Sequence, residues 1–149
     1  MKTNPSLFGL LLFCLFLTNT ALADTEYLKS SDPSMAELPF SEAVRVDNML
    51  YLSGAIGTIP GSLDLAPGGI EGQTRQTMEN ISTLLQKYGS SMDKIVKCLI
   101  MIDDMQEWSR MNAIYVTYFD GHKPARSAFG ANGLALGAKL EIECMATID

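Results

Sequence analysis

Two short stretches of the chain carry residue types that do chemistry. One is Lys123-Pro124-Ala125-Arg126-Ser127-Ala128, which sets an arginine at the start of an otherwise small and apolar run. A guanidinium grips a carboxylate through two parallel hydrogen bonds, so Arg126 is a candidate anchor for a small anionic ligand. The other is Leu140-Glu141-Ile142-Glu143-Cys144, where two carboxylates alternate with apolar residues. On a strand, that spacing turns Glu141 and Glu143 to one face, where a carboxylate can orient or deprotonate a water or shuttle protons. A plainer account of the same residues is a solvated acidic face and an edge-strand charge that deters aggregation. Residue types alone do not choose between the two.

Other chemistries leave no trace. The sequence has no G-x-S-x-G elbow, no phosphate loop and no H-E-x-x-H. No Cys/His spacing resembles a metal site, and the single histidine, His122, cannot supply one. With 17 acidic and 11 basic residues, a net charge of −6 and no Lys/Arg run, nucleic acid is not an expected partner. Arg75 and Arg110 read as solvated helix charges, and His122 as a turn residue. Trp108 and the methionines after Met1 read as core or interface.

The elements that must position Arg126 and Glu141 follow from patterning. A length of 149 residues, 47% hydrophobic and 19% charged, suits one ordinary domain. Residues 1–23 read as a secretory signal, with Lys2, an uncharged apolar run over 7–17, and Ala21-Leu22-Ala23 ahead of Asp24. That run falls short of the about 20 residues a membrane crossing needs, so no stable span is expected after cleavage. Export to the periplasm or the exterior follows as an expectation. Cys14 would leave with the signal. Cys98 and Cys144 sit in apolar stretches that suit buried small hydrophobes, although an oxidising compartment permits a disulfide.

Residues 24–38 are polar, contain one proline and read as a flexible lead-in, which leaves 39–149 as the domain. Residues 43–46 and 49–53 read as strands joined by an Asp47-Asn48 turn, followed by a Gly/Pro-rich loop. Residues 70–88 have helical period, with Thr74, Met78, Ile81, Leu85 and Tyr88 on one stripe and Gly89 as terminator. Residues 95–102 form an apolar run suited to a strand covered on both faces. Asp104 and Glu107 resemble a capping box opening a second helix to about Phe119. Residues 125–130 and 139–148 complete the strands. The order β-β-α-β-α-β-β predicts an α+β fold with both helices on one face of the sheet. Its other face, expected to carry Leu50, Leu52 and Ile142, would stay wet unless another chain covered it.

Several segments together resemble the RidA (YjgF) family. They are Pro39-Phe40-Ser41-Glu42-Ala43, Tyr51-Leu52-Ser53-Gly54-Ala55-Ile56-Gly57, Gly69 to Asn80, and Met111-Asn112-Ala113-Ile114-Tyr115. The Pro-Ala-Arg-Ser block and Leu140-Glu141-Ile142-Glu143 belong to the same likeness, which runs in order from about Leu38 to Ile148. The resemblance implies a chorismate-mutase-like α+β fold assembled as a homotrimer, with ligand clefts between subunits. It also implies hydrolysis of enamine/imine intermediates such as 2-aminoacrylate to a 2-oxo acid and ammonia, in the manner of a 2-iminobutanoate/2-iminopropanoate deaminase, without metal or organic cofactor. By the same resemblance Arg126 holds the substrate carboxylate and Glu141 positions water. Ser53 and Gly54 would floor the cleft, Asn112 would line it, and Ala128 would offer its carbonyl. Phe40 stands where many such deaminases have tyrosine. The other implied roles are a non-catalytic binder of small carboxylates, or a chaperone or ribonuclease, the last disfavoured by the acidic balance.

Overall fold

The computed structural model describes residues 23–31 and 38–148. Two helices cover one face of a six-stranded mixed sheet. The strands are β1 (Thr25–Leu28), β2 (Ala43–Val46), β3 (Met49–Leu52), β4 (Ile95–Ile102), β5 (Ala125–Gly130) and β6 (Leu140–Thr147), in spatial order β1-β2-β3-β6-β4-β5. Helix α1 (Gly69–Lys87) joins β3 to β4, and α2 (Trp108–Tyr115) joins β4 to β5. All neighbours pair antiparallel except β4 and β5, which run parallel across the α2 crossover. The α+β class read from the sequence is the one observed.

Period decides which side chains meet. Helix α1 turns Ile70, Thr74, Met78, Ile81 and Leu85 inward, and α2 turns Met111 and Tyr115 inward. They pack on Leu50 and Leu52 of β3, Ile100 and Ile102 of β4, and Leu140 and Ile142 of β6. Each such aliphatic side chain taken out of water contributes about 1.5–3 kcal/mol, which makes this layer the main stabilising element. Gly89, at φ 79°, ends α1 in the left-handed region, and Ser90 N then donates to the Leu85 carbonyl at 2.8 Å.

Register corrects the expected faces. Leu50 pairs with Ala146 and Ile100 with Ile142, so Leu50, Leu52 and Ile142 lie under the helices and not on the open face. The open face carries Tyr51, Leu99, Met101, Glu141, Glu143 and Met145. Strand β4 is likewise covered on one face only: Cys98, Ile100 and Ile102 are buried, whereas Leu99 and Met101 are half-buried. The apolar run concealed this alternation because both sets of positions are hydrophobic.

Three other expectations change. The segment read as a flexible lead-in opens on β1, whose only inward apolar residue, Leu28, is too little to betray a strand. The signal read over 1–23 lies, except for Ala23, outside the described residues. Asp104 does cap, accepting from Gln106 N at 2.9 Å, but it opens a 3-10 turn (Met105–Glu107) ahead of α2. Glu107 does not close a capping box. It accepts instead from Arg110 at 2.9 Å, and Arg110 also donates twice to Glu71 on α1, at 2.6 Å each. Arg110 is thus the exposed helix charge read from the sequence and also a bridge between the helices, and its guanidinium holds the Glu71 carboxyl below the usual range. Finally, Cys98 and Cys144 are buried as expected, but they are joined to each other in a disulfide.

Candidate functional site

Strand β5 lies at one edge of the sheet, with Arg126 opposite Cys98 in the parallel register. Cys98 faces the helices, so Arg126 rises on the same side and meets α2. Asn112 Oδ1 accepts from Arg126 Nη1 at 2.8 Å. The guanidinium carbon lies 5.0 Å from the Trp108 ring centroid and 5.1 Å from that of Tyr115, both within cation–π range. Trp108, Asn112 and Tyr115 recur at spacings of four and three, which lines them along one stripe of α2. Ala128, two residues on from Arg126, shares its face and is half-buried. Among the described residues no carboxylate pairs with Arg126. A guanidinium has five donors, and one is spent on Asn112, so the rest are available to an anion.

Glu141 belongs to a second cluster. It pairs with Met101 on the open face, and its carboxyl lies against Gly54 just after β3. A Cβ at Gly54 would clash with Glu141 Oε1 and sit 2.8 Å from its Cδ, so the absent side chain is what admits the carboxyl. Gly54 is held in place by its neighbour Ala55, which exchanges backbone hydrogen bonds with Ile142 at 2.9 Å each. Ser53 N donates to the Glu42 carbonyl at 3.0 Å, and the Ser53 hydroxyl to the Ser41 carbonyl at 2.7 Å. Those bonds tie the residues after Phe40 to the same corner, and Phe40 itself is 53% exposed.

The candidates thus sort into two groups. Arg126, Asn112 and Ala128 form one on the helix side, while Glu141, Gly54, Ser53 and Phe40 form the other around the open face. Arg126 and Glu141 stand three residues apart along the sheet and two strands across it. Their Cα atoms are therefore roughly 14 Å apart, with side chains on opposite faces. One protomer does not bring them together.

Trp108, read from the sequence as core or interface, and Tyr115 belong beside Arg126. Tyr115 is 4% exposed, and burial pushes its phenol up to about 12, so the hydroxyl stays protonated. Its spacing from Asn112 was visible, but nothing local tied that stripe to a distant arginine. Among the described residues no cluster of His, Cys, Asp and Glu is arranged to hold a metal ion, and no helix is long and apolar enough to cross a membrane.

Comparison with known proteins matches the chain to one family. The family model described as Endoribonuclease L-PSP matches residues 31–148. A mouse protein named 2-iminobutanoate/2-iminopropanoate deaminase is 38% identical over 108 residues, which are 72% of this chain and 80% of the mouse protein. The chloroplastic Reactive Intermediate Deaminase A of Arabidopsis thaliana is 37% identical over 74% of this chain and 59% of its own length. Among solved structures, a Yersinia pestis protein of the conserved Rid family superposes with a TM-score of 0.77 at 37% identity, covering 84% of this chain and all of that one.

Proposed function

The chain belongs to the Endoribonuclease L-PSP family, which contains the RidA/YjgF proteins, and from that membership we propose that it hydrolyses reactive enamine and imine intermediates of the 2-aminoacrylate kind to 2-oxo acids and ammonia. The observation that carries this reading is the Arg126 guanidinium, seated by Asn112 and two rings and meeting no carboxylate among the described residues. Such a group fits the carboxylate that every 2-imino acid carries. Relatives at 37–38% identity bear deaminase names, which supports the reaction class.

The chemistry asks little of the protein. An imine carbon is electrophilic, and more so once its nitrogen is protonated. Arg126 fixes the carboxylate, and Glu141 orients a water about 3 Å from the carbon and takes one of its protons. The C–O bond forms as the C=N double bond becomes single. Glu141 then returns the proton to nitrogen, and the C–N bond breaks to release ammonia as the carbinolamine hydroxyl gives its proton to Glu141 and becomes the carbonyl of the 2-oxo acid. Ser53 and Gly54 floor the cleft and Ala128 lends its carbonyl. Phe40 offers no hydroxyl here, which removes a hydrogen bond worth about 0.5–1.5 kcal/mol and bears on substrate range.

Because the two groups lie on opposite faces, the working site is formed between copies, the Arg126 group of one meeting the Glu141 group of the next in a homotrimer. The open face supplies the means: Tyr51, Leu99, Met101 and Met145 are apolar positions a second chain would cover. Ammonia release from imines generated in situ by an amino acid oxidase tests the reaction. Release faster than spontaneous hydrolysis is expected. If release stays at the spontaneous rate while 2-oxo acids still protect the protein thermally, it is a carboxylate-binding protein without turnover.

Gly54→Ala gives a sharper test of Glu141. The clash falls on the free end of a flexible side chain, so the melting temperature should change little while turnover falls at least tenfold. Full turnover in Gly54→Ala would remove Glu141 from the mechanism.

Export is part of the same reading. A buried disulfide suits an oxidising compartment. Cleavage after Ala23 would also free the α-amino group of Asp24, whose nitrogen lies 3.0 Å from Asp47 Oδ1, so the new charge would meet a carboxylate at once. Intact mass spectrometry of exported protein should give a chain beginning at Asp24 with Cys98 and Cys144 oxidised. A chain still carrying Lys2, or two free thiols, would count against it.

A further inference from the structure

We infer that Trp108 and Tyr115 are positioning residues, whose rings hold the Arg126 guanidinium in the orientation that leaves its free donors to a carboxylate. The inference rests on the proposed function only in naming that ligand.

Arginine on an exposed edge strand ordinarily samples many rotamers, and binding must then freeze them. Arg126 is exposed on such a strand, yet it is engaged from three directions by one stripe of α2. Trp108 and Tyr115 lie 5.0 and 5.1 Å from its guanidinium carbon, and Asn112 holds Nη1 at 2.8 Å. The guanidinium lies over both rings, and neither ring offers an acceptor atom that takes one of its N–H donors. Asn112 consumes one. Hydrogen-bonding capacity is preserved while mobility is removed, which is what a preorganised anion anchor requires.

Tyr115 is itself rigid. It is buried, and its ring meets that of Phe119 in a tilted contact, 4.9 Å between centroids. Its hydroxyl is buried without a hydrogen-bond partner among the described residues, so it is the ring and not the hydroxyl that serves Arg126. That separates two kinds of substitution. Phenylalanine keeps the ring and deletes an unsatisfied polar atom, whereas leucine keeps apolar bulk and deletes the π face.

The test compares Trp108→Leu and Tyr115→Leu with Trp108→Phe and Tyr115→Phe. In the free protein, Arg126 side-chain protons in the wild type should be shifted upfield by ring currents, and its Nε–H should be ordered on the nanosecond scale. Arg126→Lys supplies the assignment. Both signatures should fade in the leucine variants and survive in the phenylalanine variants. With an imine substrate, each leucine variant should raise KM about five- to tenfold, as expected for loss of one cation–π contact, and leave kcat within twofold. The phenylalanine variants should keep KM near wild type, and Tyr115→Phe should melt no lower than wild type.

Unchanged Arg126 signals in a folded leucine variant would overturn the proposal, as would phenylalanine variants impaired as severely as leucine ones. Should Tyr115→Leu fail to fold, the partly exposed Trp108→Leu decides alone. If the signatures behave as expected but wild type neither turns over imines nor binds 2-oxobutanoate in a titration, the functional reading fails while the clamp stands.

Discussion

Arg126→Ala abolishes ammonia release from 2-imino acids while fold and assembly persist. The side chain is exposed on an edge strand, has no acidic partner among the described residues, and touches the buried Tyr115 only over its ring. Its removal orphans only the half-buried Asn112 Oδ1, so the stability cost should stay within about 1 kcal/mol. The loss at the site is far larger. A guanidinium holding a carboxylate makes two charge-assisted hydrogen bonds at about 1.5–3 kcal/mol each, and their loss predicts a drop in kcat/KM on the order of a hundred- to ten-thousand-fold. Oxidase-coupled ammonia release measures the drop, and size-exclusion chromatography checks that the particle is unchanged. The two readouts must separate. Turnover equal to wild type would remove Arg126 from catalysis and with it the enzymatic reading, whereas loss of assembly would show that Arg126 serves the interface instead.

The clamp and the anchor differ in what they predict for the same ligand. Arg126→Ala removes the donors themselves, so neither Trp108 nor Tyr115 has anything left to hold. Combining Trp108→Leu with Arg126→Ala should therefore add little to Arg126→Ala alone, because residues that act as a unit are not additive.

Much of this arrangement was legible in the sequence, and the illegible part has a common cause. Period gave α1 to within a residue, since it carries an inward stripe and stops at a glycine that enters the left-handed region, whereas the second helix, read from Asp104 to about Phe119, is α-helical only over Trp108–Tyr115 with a 3-10 turn at each end. Alternation along β6 gave Glu141 and Glu143 a shared face. Which face that was depends on β4, because only the pairing of Ile100 with Ile142 shows that the even-numbered positions of β6 lie beneath the helices. The mistaken placement of Leu50, Leu52 and Ile142 has the same origin: a strand shows two faces, and only its neighbours say which one is covered. The consequence reaches the site. Arg126 and Glu141 were both identified as candidates, yet their separation onto opposite faces is a property of three strands in register. The link of Trp108 and Tyr115 to Arg126 escaped notice because it joins α2 to strand β5, beyond any local pattern. Strand β1 escaped because a sheet-edge strand with one inward apolar residue carries almost no alternation.

The Cys98–Cys144 bond is the covalent one among these pairings, and its removal should cost the most stability of any change discussed. The two residues lie opposite one another on β4 and β6, separated by 46 positions, and are 0% and 1% exposed. Closing a loop of that length in the unfolded chain is worth about 2–4 kcal/mol to the native state. Cys98→Ala/Cys144→Ala should lower the melting temperature by roughly 8–15 °C for a domain of this size. Turnover per folded molecule at low temperature should hold, because Arg126 lies one strand beyond Cys98 and takes its orientation from α2. Burial adds a kinetic expectation. A reductant reaches the sulfurs only when β4 and β6 part, so the native protein should resist dithiothreitol until conditions open the sheet, and the rate of reduction should then follow that opening. Calorimetry of oxidised, reduced and double-variant protein decides the matter. Coincident melting of all three would mean that the bond contributes nothing and that β4 and β6 are held in register by Ile100, Ile142 and their backbone ladder alone.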